Sequence, residues 1–173
     1  EEKEFRLELI IPSHLTQKII TILKKNHPYE TVAYDILPLN NIFDEIGAGV
    51  IGELPAEMDE MEFLFKLKNI FHTGVIKHNS IRGKPIKKVS LCGGSGKSLI
   101  NSALQEKSDI FITADLGYHD FFIPGKRMLL ADIGHFESEQ YTSDRLVTIL
   151  KEKFLNFAVL KSGVNTNPVN YFL

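Results

Sequence analysis

The chain contains a single cysteine and no tryptophan in its 173 residues, and neither sign of charge predominates. Because one cysteine cannot form a disulfide or a thiolate zinc cluster within one chain, the sequence excludes both. A reducing cytoplasm is therefore the expected compartment. With a formal net charge of -2 and no lysine or arginine block among aromatic residues, the chain has no electrostatic basis for binding nucleic acid. We expect no nucleic-acid partner.

Long apolar runs are also missing. No stretch approaches the roughly 18 consecutive apolar residues that a membrane-spanning helix needs, so no membrane partner is expected. The first residues, EEKEFR, are charged rather than signal-like, and the absence of an initial methionine indicates that the natural beginning lies elsewhere. With 43% hydrophobic and 24% charged residues, the composition predicts an ordinary globular protein.

The first forty residues have the pattern of a strand, a helix and a second strand. Residues 5–11 (FRLELII) and 31–37 (TVAYDIL) are rich in residues that favour strands. Between them, residues 14–26 have apolar side chains at helical spacing, and Pro28 disfavours helix beyond this point. A βαβ unit alone leaves sheet edges unpaired, so this part of the chain should need a partner.

The middle of the chain predicts a connector followed by a helix. Residues 46–54 contain three glycines, and Pro55 closes this connector. Residues 58–71 return to helical spacing with a mostly apolar core face. A short candidate strand follows at residues 74–77.

From residue 87 onward strands and helices alternate, which is typical of an α/β sheet with flanking helices. The predicted strands are residues 88–92, 109–114, 127–133 and 157–161, and the predicted helices are residues 97–105 and 138–154. The predicted fold class is therefore α/β.

The glycine-rich stretch at residues 93–98 (GGSGKS) is similar to a phosphate-binding loop. It fails the Walker pattern because Leu91 stands where the first glycine is required, and it fails the dinucleotide pattern because Leu99 replaces the third. We interpret it as a tight turn between a strand and a helix, with an anion site as the lesser alternative. Cys92, just before it, is interpreted as a small buried apolar residue.

A second polar stretch follows the strand that ends near Ile133. His135 and Glu139 are four residues apart at the start of a predicted helix, so their side chains share one helix face, which suits metal ligation. The alternative is that His135 caps the strand and Glu139 only complements the helix dipole. The spacing alone favours this alternative, because a single His-x-x-x-Glu pattern often occurs by chance.

The loop after the preceding strand carries Asp115, Tyr118 and His119. Ligands of open α/β sheets collect at the carboxyl ends of strands. If the two strands are parallel neighbours, Asp115 and His119 could share one cleft with His135 and Glu139.

Three motifs in order, VSLCGGSGKSLI, DIFITADLGYHD and MLLADIGHFESE, resemble the C-terminal part of the Ngg-interacting-factor-three-like family, whose bacterial members are named GTP cyclohydrolase I type 2 homologues. The segments HPYETVAYDILPL and GVIGELP resemble the members that carry an inserted domain similar to signal-transduction protein PII and the divalent-ion tolerance protein CutA. The resemblance covers nearly the whole chain.

This resemblance implies a dinuclear centre of divalent metal ions, zinc or another transition metal, in an α/β fold that usually forms a toroidal hexamer. It assigns His135 and Glu139 as metal ligands, and it places Asp115, Tyr118 and His119 in a motif that could form a second shell or a cleft. Ala114 replaces the glycine that is usual in that motif.

The remaining ligands of the family, including a His-His pair, lie in an N-terminal half that this sequence does not contain. The chain is therefore expected to be a C-terminal fragment. Residues 1–40 would be the second half of the PII/CutA-like insert, and residues 41–173 the C-terminal α/β part of the metal-binding domain.

Two functions remain open. A metal with free coordination positions would favour a metal-dependent hydrolase, for which no catalytic residue can be assigned. A saturated shell would favour a structural metal in a regulatory protein that senses a metabolite or metal. With only His135 and Glu139 as ligands, the chain alone is expected to bind a divalent ion weakly or not at all, and less well as the pH falls through the histidine range near about 6.5.

Overall fold

The computed structural model describes residues 5–40 and 46–172, which fall into two units, Glu1–Ile42 and Phe43–Leu173. In the first unit, a 3₁₀ turn at Ser13–Leu15 leads into helix α1, Thr16–Asn26, which together cover the predicted helix. The helix ends where His27 becomes extended, one residue before Pro28.

Neither strand predicted for this unit is formed: residues 5–11 and 31–37 carry no strand ladder in the part of the unit that the structure describes. Their apolar side chains are exposed, with Phe5 and Leu37 at 101% and 74% of their maximum. In a split βαβ unit another strand lies between the two, so these segments have no adjacent edge with which to pair.

The second unit contains one five-stranded sheet with flanking helices, which confirms the predicted α/β class. Its strands are β1 (Val50–Met58), β2 (Lys77–His78), β3 (Ile86–Ser95), β4 (Ile110–Ala114) and β5 (Leu129–Asp132), and its helices are α2 (Glu60–Phe71), α3 (Ile100–Gln105), α4 (His135–Glu139) and α5 (Thr142–Lys153). The strand order is β1-β3-β4-β5-β2. The three central strands are parallel, and each edge strand is antiparallel to its neighbour.

The core lies on both faces of the central strand β4, all of whose residues are buried. Ile110 and Ile112 face the apolar side of α2, while Phe111 faces α3 on the other side. Alternate residues of a strand point to opposite faces, so an uninterrupted apolar run suits a strand covered on both sides.

The predicted connector at residues 46–54 is largely a strand. β1 lies at an edge of the sheet, where Pro55 is tolerated because an edge strand need not donate every backbone N-H group. Helix α2 begins later than predicted because Asp59 caps it, accepting hydrogen bonds from the N-H groups of Met61 at 2.8 Å and Glu62 at 3.2 Å.

The predicted helix at residues 138–154 is divided into α4 and α5, and α4 starts earlier, at His135. The predicted last strand at residues 157–161 has no ladder within the described residues. Leu160 is 90% exposed, so this segment has a strand-like sequence but no neighbouring edge.

A buried ionic network joins α2 to the sheet. Nε of Arg82 donates to Oε1 of Glu60 at 2.8 Å, and Nη1 donates to Oδ1 of Asp109 at 3.0 Å. Burial alone would raise the pKa of Glu60, but hydrogen bonds from Arg82 and Gly83 and the charge of Arg82 outweigh it, so the pKa is lowered.

Within the described chain, each helix is too short or too polar to cross a membrane.

Candidate metal centre

The candidate site lies where two parallel strands end. β4 ends at Ala114 and is followed by Asp115, while β5 ends at Asp132 and leads through Gly134 to His135, the first residue of α4. Because β4 and β5 are parallel neighbours, their carboxyl ends meet at one edge of the sheet.

His135 lies between two carboxylates. Its Nδ1 is within hydrogen-bond distance of Oδ2 of Asp115, at 2.6 Å, and its Nε2 lies 3.4 Å from Oε2 of Glu139. The hydrogen bond to Asp115 raises the pKa of His135, opposed by slight burial and reinforced by the negative charges of Asp115 and Glu139. The structure thus brings together three of the residues that the sequence singled out.

The separation of His135 Nε2 and Glu139 Oε2 suits two ligands of one metal. Donors that lie about 2.0 to 2.2 Å from a tetrahedral zinc are separated by about 3.4 Å, and the observed distance is 3.4 Å. A carboxylate on the other imidazole nitrogen, as Asp115 provides, is the usual companion of a metal-binding histidine.

The rest of a metal shell is not present among the residues that the structure describes. In residues 5–40 and 46–172, no group of three or more histidine, cysteine, aspartate and glutamate side chains is arranged to hold a metal ion. Asp115 does not complete such a group because it lies on the opposite ring nitrogen from Glu139. Among the described residues, His135 and Glu139 are therefore a pair of neighbouring donors without a third.

The glycine-rich stretch lies directly against the side chain of Glu139. Gly94, with φ +60°, lies inside β3, and a β-carbon at this position would lie 2.5 Å from Oε1 of Glu139 and 3.2 Å from Cε1 of His135. Its N-H donates to Oγ of Ser138 at 2.8 Å. The glycine lets the backbone approach the α4 carboxylate. The stretch ends β3 at Ser95, and the predicted tight connection from strand to helix follows at Gly96, because a 3₁₀ helix begins at Lys97.

The alternative of an anion site in this stretch receives no support from its surroundings. The stretch contacts the carboxylate of Glu139, which would repel an anion. Nζ of Lys97 lies 2.9 Å from Oδ1 of the buried Asp120 and is thus already paired.

Cys92 is buried as predicted. Burial is the main cause that raises the pKa of its thiol, and the negative charge of Glu139 adds to it.

Thr113 connects the glycine-rich stretch to β4 through two hydrogen bonds. Its Oγ1 accepts from the N-H of Gly96 at 2.8 Å and donates to the carbonyl oxygen of Gly94 at 3.0 Å, and the side chain is fully buried. Thr113 lies in the motif DIFITADLGYHD, in which the sequence analysis assigned no role to this residue. The sequence signal that could have singled out Thr113 is its position as the one hydroxyl residue in an otherwise apolar strand.

Tyr118 and His119 lie in a 3₁₀ turn, Tyr118–Phe122. Their rings meet edge to face with centroids 5.4 Å apart, and Tyr118 is 75% exposed. Among these described side chains, no hydrogen bond joins either residue to Asp115, His135 or Glu139. Their role in a second shell or a cleft therefore stays a prediction.

A cleft of about 1320 Å³ extends from Asp115, His135 and Glu139 to the C-terminal segment of the chain. Its walls include the buried Asp132, which pairs with Lys77 at 2.6 Å, and the buried Glu137. The sequence analysis did not single out these wall residues, because a charged residue next to an apolar strand reads as solvent-exposed. The cleft gives a ligand access to the histidine–carboxylate group.

The architecture is thus that of an α/β protein in which a histidine–carboxylate group lies at the carboxyl ends of parallel strands. The model of the Duf34/NIF3 (NGG1p interacting factor 3) family matches residues 7–168, and the chain belongs to this family. This confirms the family resemblance seen in the sequence.

The chain is similar to proteins named GTP cyclohydrolase 1 type 2 homolog. It is 30% identical over 175 residues to the one from Halalkalibacterium halodurans, covering 98% of this chain and 46% of the relative. It is 29% identical over 174 residues to the one from Bacillus subtilis, covering 97% and 46%. The chain therefore spans about half the length of the curated relatives it matches.

Two solved structures are similar to this chain over nearly its whole length. Staphylococcus aureus protein SA1388 superposes with a TM-score of 0.74 at 25% identity, covering 96% of this chain and 55% of that chain. A Bacillus cereus protein related to NIF3 has a TM-score of 0.72 at 30% identity, covering 94% and 46%.

Proposed function

We propose that this chain supplies His135 and Glu139 as two ligands of a divalent metal centre. The observation that carries the proposal is the 3.4 Å separation of His135 Nε2 and Glu139 Oε2, which equals the spacing of two donors around one tetrahedral metal. The donor types also fit, because imidazole and carboxylate together suit zinc and similar transition metals.

The complete centre would be dinuclear, with its remaining ligands, among them a His-His pair, outside this chain. Two facts support this: the described residues offer two ligand positions, and the chain covers 46% of the length of its relatives. We also propose that the intact protein is a homo-oligomer, specifically a hexamer. The unpaired segments of the first unit support self-association, because they expose apolar side chains such as Phe5 and Ile10.

The proposed reaction class is metal-dependent hydrolysis. A bound metal with open coordination positions would supply Lewis acidity to a substrate and activate water. The chain's own part is to hold His135 and Glu139 in place and to provide the adjoining cleft, which is large enough for a small-molecule substrate. GTP is the first substrate to test, because the relatives are named GTP cyclohydrolase 1 type 2 homolog.

The second candidate is a non-enzymatic regulatory protein that senses a metabolite or a metal. It would be favoured if ligands from outside this chain saturate the metal and leave no coordination position for water or a substrate.

The experiment measures zinc content and GTP turnover on one set of samples of the intact protein that contains this chain: the wild type, His135→Ala, Glu139→Ala and the control His78→Ala. His78 is an exposed edge-strand residue. A hydrolase predicts zinc and turnover in the wild type and the control, with both lost in the two site variants. Zinc binding without turnover of GTP favours the sensing protein. Equal zinc content in all four samples would contradict the metal centre itself.

A further inference from the structure

Asp115 has a backbone conformation that few residues other than glycine adopt. It follows β4 directly and has φ +58°, in the left-handed region that residues with a side chain seldom adopt. Such conformations persist where surrounding structure requires them, and they concentrate at functional sites. A glycine would adopt this conformation without strain, yet this position carries a carboxylate.

The carboxylate makes one short contact from this position. Oδ2 of Asp115 accepts from Nδ1 of His135 at 2.6 Å, although both side chains are about half exposed, at 46% and 53%. A charge-assisted hydrogen bond of this length is among the stronger kinds. Because both side chains are about half exposed, burial alone does not explain their contact.

The geometry also decides between two roles that Asp115 could have. A third metal ligand would have to lie beside His135 Nε2 and Glu139, but Oδ2 of Asp115 lies at Nδ1, on the other side of the ring. A proton on Nδ1 leaves the lone pair on Nε2, which points towards Glu139.

We infer that Asp115 is a positioning residue that fixes His135 in the Nδ1-H form and so makes Nε2 its metal-binding nitrogen. The part that concerns metal rests on the proposed function, whereas the tautomer can be observed without metal. A failure of one is therefore distinguishable from a failure of the other.

The test is nitrogen-15 NMR of the histidine rings at alkaline pH, where imidazoles are neutral, followed by titration with cobalt(II) ions. The variants are Asp115→Gly, which removes the carboxylate and suits the backbone, and Asp115→Asn, whose carbonyl oxygen can still accept from Nδ1. Lys107→Gly is the matched control, because Lys107 also has positive φ, +56°, in the turn after α3.

We expect His135 to be in the Nδ1-H form in the wild type, Asp115→Asn and Lys107→Gly, and to become a mixture of tautomers in Asp115→Gly. The affinity for cobalt should fall by roughly 10- to 100-fold in Asp115→Gly and remain unchanged in Lys107→Gly. An unchanged tautomer in Asp115→Gly would overturn the inference. A changed tautomer with undiminished cobalt affinity would overturn the link to metal. If cobalt reaches His135 neither in this chain nor in the intact protein, the proposed function fails, and the tautomer alone decides the role of Asp115.

Discussion

The carboxylate of Glu139 occupies the space that a side chain on Gly94 would need, since a β-carbon built there lies 2.5 Å from Oε1. The glycine-rich stretch is thus shaped by the histidine–carboxylate group rather than by a phosphate. Two elements far apart in sequence, the end of β3 and helix α4, are fitted to each other at this point.

Gly94→Ala should displace Glu139 and weaken cobalt binding. Gly83→Ala is the matched control, because Gly83 also has positive φ, +72°, but its β-carbon would meet no atom within 4 Å. Both variants should lose about 1 to 2 kcal/mol of unfolding free energy through backbone strain, with a further loss in Gly94→Ala. Urea denaturation and cobalt titration measure the two effects. Equal cobalt affinity in both variants would show that Glu139 does not depend on this close approach.

Thr113→Val should destabilise the fold by roughly 1 to 3 kcal/mol, because it leaves the N-H of Gly96 and the carbonyl of Gly94 without their partner in a buried site. Thr113→Ser keeps the hydroxyl and should cost about 1 kcal/mol for the lost methyl group. Denaturant unfolding compares the two. If serine proves as damaging as valine, the methyl packing and not the hydroxyl bridge stabilises this region.

Stability should depend on pH through Glu60. Its folded-state pKa is lowered from 4.5, so its contribution is fully present above that value and is lost as the pH falls through the lower folded-state pKa. Glu60→Gln should reduce the unfolding free energy by roughly 3 kcal/mol at neutral pH. The difference from the wild type should shrink as the pH falls below 4.5 and through the lower folded-state pKa.

The control for this prediction is Glu106→Gln, since Glu106 is 58% exposed and its contact with Lys88 is 3.4 Å. It should change stability by less than about 0.5 kcal/mol at any pH. A constant difference between Glu60→Gln and the wild type over the whole range would mean that the charge of Glu60 is not what stabilises the network.

Magnesium ATP should not bind at residues 93–98 in the manner of a P-loop. Lys97 is paired with Asp120, and Glu139 faces the glycines. Calorimetry with the wild type and Lys97→Ala should therefore give the same result for ATP. Magnesium-dependent binding that disappears in Lys97→Ala would refute this account of the stretch.

The sequence predicted the central sheet well because β4 and β5 are short apolar runs with buried neighbours on both sides. It also predicted that Asp115, His119, His135 and Glu139 could share a cleft, since parallel strands bring their carboxyl ends together. Of these four residues, all but His119 line the cleft. These inferences need only local pattern and the general rule for strand ends.

The predictions that failed concern segments whose structure depends on contacts with residues distant in the sequence. Residues 157–161 have a strand sequence and no ladder, whereas residues 50–58, with a proline and a glycine, form a strand because β3 offers them an edge. Likewise, no local pattern revealed that Gly94 had to be small for Glu139, or which imidazole nitrogen Asp115 would occupy.

The most direct test of the central claim is an NMR titration of the chain with cobalt(II), with Glu139→Ala as a parallel sample. Even weak binding produces paramagnetic shifts, and the other five of the six histidines are internal controls. The account predicts that the ring signals of His135 shift first and most strongly in the wild type, and that this preference is lost in Glu139→Ala. A His135 ring that is unaffected while other histidines shift, or that shifts equally in both samples, would contradict the claim that His135 and Glu139 hold one metal ion.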